Sequence, residues 1–139
     1  MNKATKLILG SLFACLNLSN LSYATEPTTC PTPQAIRAQG FDSILKEDEM
    51  GLGWIGIKSS ANYRTNTKWA FMMVIGKVNE FRNAQQALNK ARKLLTTLTL
   101  LDGPIKENDK YTCNYDYARD GKAEPIAQAQ TPPFNLLKR

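Results

Sequence analysis

Lys68-Trp69-Ala70-Phe71-Met72-Met73-Val74-Ile75-Gly76-Lys77-Val78 is the stretch on which the fold turns. Trp69, Phe71, Met73 and Ile75 fall on one side of an extended chain, and Ala70, Met72 and Val74 on the other. A side-chain period of two with apolar residues on both sides predicts a strand covered on both faces, hence a central one. Directly after it, Phe81, Ala84, Leu88, Ala91, Leu95 and Leu98 recur at spacings of three and four. That spacing builds the apolar stripe of one long helix. Asn83 with Gln86 forms a capping box, or Asn79 starts the helix earlier, and Asp102-Gly103-Pro104 ends it. Arg82, Lys90, Arg92 and Lys93 lie mostly off the stripe. The later three suit the negative end of the helix macrodipole, so the run reads as a solvated face rather than a nucleic-acid or membrane patch.

Outward from this pair, three more segments carry a strand pattern. Leu52 to Ser59 holds Trp54, Ile55 and Ile57, and Trp54 and Trp69 flank a hairpin around the polar stretch from Asn62 to Thr67. Phe41 to Leu45 is a short strand. Tyr111, Cys113, Tyr115 and Tyr117 alternate with Thr112, Asn114 and Asp116, which puts the cysteine and three tyrosines on one strand face. Near the start, Thr32 caps a short helix with Pro33 in its first position, and Gly40 stops it. The expected architecture is α+β: an antiparallel sheet of three to four strands, one long helix packed on one face, and a short N-terminal helix. This single domain spans 25–122. From Ala123 the chain turns Ala/Gln/Pro-rich and reads as a flexible tail over 123–139, with Phe134, Leu136 and Leu137 as its apolar docking residues.

The first 24 residues carry the pattern of an export signal. Lys3 and Lys6 are followed by the apolar run Leu7–Leu16, too short to cross a bilayer, and then by Ser22-Tyr23-Ala24. Cleavage after Ala24 is expected, giving a secreted or periplasmic protein. Leu12-Phe13-Ala14-Cys15 also resembles a lipobox, so lipidation at Cys15 is the alternative. No transmembrane segment follows. Removing residues 1–24 takes away two lysines, no acid and Cys15, and lowers the formal charge from +6 to +4. Cys30 and Cys113 remain, an even pair that in an oxidising compartment predicts a disulfide.

The 139-residue chain has no histidine, which excludes Ser-His-Asp and Cys-His catalysis and any histidine-ligated metal. Gly51-x-Gly53-x-x-Gly56 has the spacing of a dinucleotide loop, but it follows an acidic connector and opens a strand. These glycines are therefore turn and close-packing positions. The acidic connector Glu47-Asp48-Glu49 lacks the glycine of a calcium-binding EF-hand loop. No catalytic residue and no metal set stands out, so the expectation is a non-enzyme with no required cofactor. The tyrosine strand is the most suggestive constellation, because a tyrosine phenolate can ligate haem iron. Tyr115 and Tyr117 are the candidate ligands, Arg119 a propionate partner, and Trp54 and Trp69 walls for a flat ligand. Alternating tyrosines in a strand also read as half-buried core.

Cys30-Pro31 followed by the short Ile36 helix, Gly53-Trp54, Thr67-x-Trp69 and Cys113-x-Tyr115, together with the signal pattern, carry a resemblance. They resemble a small family of exported Gram-negative proteins that includes a haemin-binding protein of about this size. The resemblance implies a secreted protein that promotes haemin binding, as a virulence-associated factor. It supplies no ligand residues. The alternative is a secreted interaction module, an effector or inhibitor, whose partner is a host or envelope protein and which takes no small molecule.

Overall fold

The computed structural model describes residues 26–118 and 126–133. The stretch read as an export signal, Cys15, Arg119 and the apolar residues Phe134, Leu136 and Leu137 lie outside them. The order along the chain is α1 (Pro33–Gln39), β1 (Ser43–Glu47), β2 (Gly53–Ala61), β3 (Trp69–Gly76), α2 (Ala84–Leu95), β4 (Thr99–Glu107), β5 (Lys110–Asp116) and β6 (Ala127–Thr131). All six strands join one antiparallel sheet in the order β1-β2-β3-β6-β5-β4.

This corrects the expected architecture. The fold is mostly sheet, with six strands rather than three or four; the short N-terminal helix stands where expected, but the long helix is replaced by a short one. The helix stripe from Phe81 to Leu98 overshoots at both ends. Phe81 precedes α2, which begins after Asn83, whose side chain accepts from the Gln86 amide at 3.0 Å. Gln86 Oε1 in turn accepts from the Arg82 amide at 2.9 Å. At the far end, Thr96 and Thr97 turn their hydroxyls back onto the Lys93 and Leu94 carbonyls, at 2.6 and 2.7 Å. Two adjacent β-branched residues that hydrogen-bond their own turn are poor helix continuers. The buried side is Ala87, Ala91, Leu94 and Leu95, one step round from the expected stripe.

Two strands occupy stretches read as a breaker and a tail. β4 runs straight through Asp102-Gly103-Pro104, absorbing it as an irregularity in the pairing between Asp102 and Ile105. A Cβ on Gly103 would lie 2.7 Å from the Thr112 carbonyl and 3.0 Å from Cys30 Sγ, so only glycine lets the chain pass here. β6 falls within the expected flexible tail and lies in the interior of the sheet. It pairs with β3 on one side and β5 on the other, from Met73↔Ala127 to Ala70↔Gln130 and from Tyr115↔Ala127 to Tyr111↔Thr131.

β3 is buried along nearly its whole length and is the third strand of six. Its Trp69, Phe71, Met73 and Ile75 belong to the main core with Ile36, Ala87, Ala91, Leu95, Tyr115 and Ala129. α1 and α2 cover this face: α2 lies against β1, β2 and β3 and touches α1. Arg37 of α1 reaches the Leu95 carbonyl at 3.4 Å, a cation at the negative end of α2. Gly53 opens β2 with φ +81, and a Cβ there would sit 2.2 Å from the Gly76 carbonyl, which makes it a close-packing glycine. On the opposite face, Ile55, Ile57 and Val74 form a second, smaller cluster with Leu45, Leu52, Met72 and Ile126.

Cys30 and Cys113 form a disulfide across a sequence separation of 83, with 5.8 Å between their Cα atoms. Both are buried in the main core, so the bridge fastens the segment before α1 to the middle of β5. No helix among the described residues is long and apolar enough to cross a membrane.

Candidate functional site

Strand alternation on β5 and the chain just beyond it sends Tyr111, Cys113, Tyr115 and Tyr117 to the covered face. The structure gives the three tyrosines different fates. Tyr115 is buried at 2% exposure, and its phenol donates to the Pro31 carbonyl at 2.5 Å. Its ring packs edge-on against Phe71, 5.8 Å between centroids. Tyr117, also buried, donates to the Val74 carbonyl of β3. Both phenols satisfy backbone acceptors in the interior, as buried tyrosines must. Burial pushes the Tyr115 pKa up, with the nearby Tyr63 adding to it, so the phenol is held neutral.

The tryptophans are equally committed. Trp69 is fully buried and its indole N–H donates to Thr65 Oγ1 at 3.0 Å. Trp54 donates to the Val78 carbonyl at 3.0 Å and meets the Phe81 ring edge-on. The structure therefore places Trp54, Trp69, Tyr115 and Tyr117 within the core, and none of them lines either of the two surface cavities described here. Arg119 lies outside the described residues.

Tyr111 differs from its neighbours. It is the second residue of β5, is half-buried, and lines a surface cavity of about 350 Å³. Pro27 and Pro132 form apolar walls; Thr67 and Thr131 supply hydroxyls. Lys106, directly opposite Tyr111 on β4, completes the rim with Glu26. Its ammonium sits 5.7 Å from the centre of the Tyr111 ring and 3.6 Å from the Glu26 carboxylate. The Tyr111 phenol and Glu26 together hold Lys106 above its usual pKa. Among the described hydrogen bonds, none ties the Tyr111 phenol to a backbone acceptor. The site thus joins the Tyr111 ring, the Lys106 ammonium, the Glu26 and Asp109 carboxylates and two apolar proline rings. That set can bind and orient a ligand.

Tyr111 belongs to the sequence pattern that singled out the tyrosine strand, but position along the strand decides which phenol is accessible. Asn108-Asp109 in the tight β4–β5 turn is the sequence sign that Tyr111 stands near the open end. Lys106, Glu26 and Pro132 carry no such sign, because separate segments bring them together.

Tyr63 is a further unexpected position. Its φ is +49 and its buried phenol has no hydrogen-bond partner. Burial, and secondarily Asp42, push its pKa up. Asp42 itself is pulled below its ordinary value: burial would raise it, but the Ser59 amide at 2.7 Å and the Lys58 ammonium at 3.0 Å prevail.

No family model matches the chain, and neither a curated protein nor a solved structure was found to be similar to it.

Proposed function

We propose that this is an exported, non-enzymatic binding protein that takes a small ligand at the Tyr111 cavity, and that haemin is that ligand. The observation that carries the reading is the contrast among the β5 tyrosines: Tyr115 and Tyr117 are spent on backbone carbonyls, whereas Tyr111 opens onto a cavity beside a lysine. A phenolate can ligate ferric haem, and an ammonium can pair with a propionate. Pro27 and Pro132 offer apolar contact to a porphyrin edge. A volume of about 350 Å³ is at the small end for ligand sites, so a bound haemin keeps part of its rim in solvent. Haemin itself comes from the family resemblance; the cavity supplies the chemistry that suits it.

The test is a haemin titration of residues 25–139 followed in the Soret region. A saturable shift is expected, and Tyr111→Phe is expected to remove its phenolate signature while Tyr115→Phe keeps it. A Soret band that does not move at all sinks the proposal, and one equally changed by both variants sinks the assignment to Tyr111.

A second reading rests on a different observation. Leu100, Leu101 and Ile105 on the outermost strand β4 are 45%, 63% and 41% exposed. Apolar residues on a sheet edge suit an interaction module with a host or envelope protein as partner. Capture of a reproducible partner that is lost in Leu101→Asp, with no haemin spectrum, favours this reading.

A further inference from the structure

The sheet face opposite the tyrosines carries a second concavity with different chemistry. Cross-strand register puts Gln130 beside Thr112, and Gln128 beside Asn114. On the outer side, β4 sets Ile105 beside Thr112 and Asp102 beside Asn114. On the inner side, β3 sets Ala70 beside Gln130 and Met72 beside Gln128. Thr112, Asn114, Gln128 and Gln130 thus form a block of neutral hydrogen-bonding side chains lining a cavity of about 430 Å³, with Ile105 and the Asp102 carboxylate on its β4 side.

The block's hydrogen-bonding capacity is largely unused. Asn114 donates to Asp102 Oδ1 at 2.7 Å. The side chains of Gln128, Gln130 and Thr112 make no hydrogen bond among the described residues, although all three are half-buried. Their polar atoms are not sealed from solvent, since among the described residues the Tyr63 phenol alone is buried without a partner, so a ligand can reach them in place of water. Each carboxamide offers donors and an acceptor, so the fitting partner presents both, closely spaced, on a neutral frame. Hydroxyl groups on a sugar ring do this, and a C–H face of the ring suits Ile105, which lines the cavity. A charged ligand fits less well, because Glu107 and Lys110 at the rim oppose each other in sign. A peptide strand fits less well too: β5 and β6 have neighbours on both sides, so their main chains cannot accept another strand.

We propose that this concavity is a saccharide-binding site for a neutral oligosaccharide, distinct from the Tyr111 cavity on the other face. Gln128 and Gln130 are its central contacts, with Asn114 and Thr112 beside them.

The experiment is an NMR titration of the folded protein, reading the side-chain amide signals of Gln128, Gln130 and Asn114. The probes are maltotriose, cellotriose and chitotriose, with a neutral Gly/Ala hexapeptide as comparison. Saturable shifts of these signals with at least one sugar are expected, weakened at least tenfold in Gln130→Ala and in Gln128→Ala. Unchanged backbone spectra of both variants without sugar show that they fold. If no sugar moves these signals, if the hexapeptide moves them more than any sugar does, or if both folded variants bind as the parent does, the proposal is overturned. Haemin has no part in the readout, so this result stands apart from that of the Tyr111 cavity.

Discussion

The two halves of the sheet are built on different terms. β1, β2 and β3 carry apolar residues on both faces, with the main core on one side and Ile55, Ile57 and Val74 on the other. β5 and β6 put buried apolar residues on one face only, and β4 is exposed along almost all of its length. The first half is held by packing. The second is held by a disulfide, two buried phenols and the pairing of β6. Both concavities lie in the second half. A surface not consumed by core packing is free to bind, and it needs covalent and polar fastenings to stay in place.

Breaking the fastening of the second half is expected to have the largest effect. Cys113→Ser releases a loop closed across a sequence separation of 83, for which chain entropy sets an upper cost of roughly 4–5 kcal/mol, measured by urea unfolding. Next comes a direct comparison of the halves. Phe71→Ala in the packed half is expected to cost about 3–5 kcal/mol, whereas Leu101→Ala on the exposed edge stays within about 0.5 kcal/mol. Equal costs in the same denaturation series would erase the distinction.

The junction between the halves is tight as well. Ala129 is fully buried between Phe71 and Cys113 on the neighbouring strands, so Ala129→Leu overpacks it. A loss of about 1–3 kcal/mol in thermal or urea unfolding is expected. The smallest effect is a pH dependence at the Asp42–Lys58 pair, on the packed side. Because the folded pKa of Asp42 lies below its ordinary 3.8, its contribution is present above that pH and is lost as pH falls through the lower folded value. Asp42→Asn should flatten the stability curve below pH 4 and change little at pH 7. An unaltered acid limb excludes that contribution.

What the sequence made legible follows the same division. The strand at Trp69–Gly76 and the strand opening with Gly53-Trp54 are written in aromatic and β-branched residues, and both stand close to their expected places. β6 is Ala127-Gln128-Ala129-Gln130-Thr131, whose alanine and glutamine are weak strand formers. Its pairing with β3 on one side and β5 on the other, with Ala127 and Ala129 buried in the core, makes a strand of it. β4 hid behind Gly103-Pro104, which reads as a stop and is a bulge beside the disulfide. The helix was overextended because an apolar stripe says nothing about Thr96 and Thr97, whose hydroxyls turn back on the helix end. For the site, alternation marked the right strand but not the right tyrosine. The decisive facts are the Pro31 and Val74 carbonyls, which come from residues 84 and 43 positions away along the chain.

The position of β6 has a consequence for the order in which the molecule can assemble. It is the last of the described elements along the chain, yet it alone joins β3 to β5 within the sheet. A polypeptide delivered N-terminus first therefore holds two incomplete ribbons, each with an open inner margin, until Ala127–Thr131 emerges. Those margins are templates for mispairing with other chains. Completion of the sheet is thus a late, long-range event, and the slowest part of folding is expected to wait on five of the least conspicuous residues in the sequence.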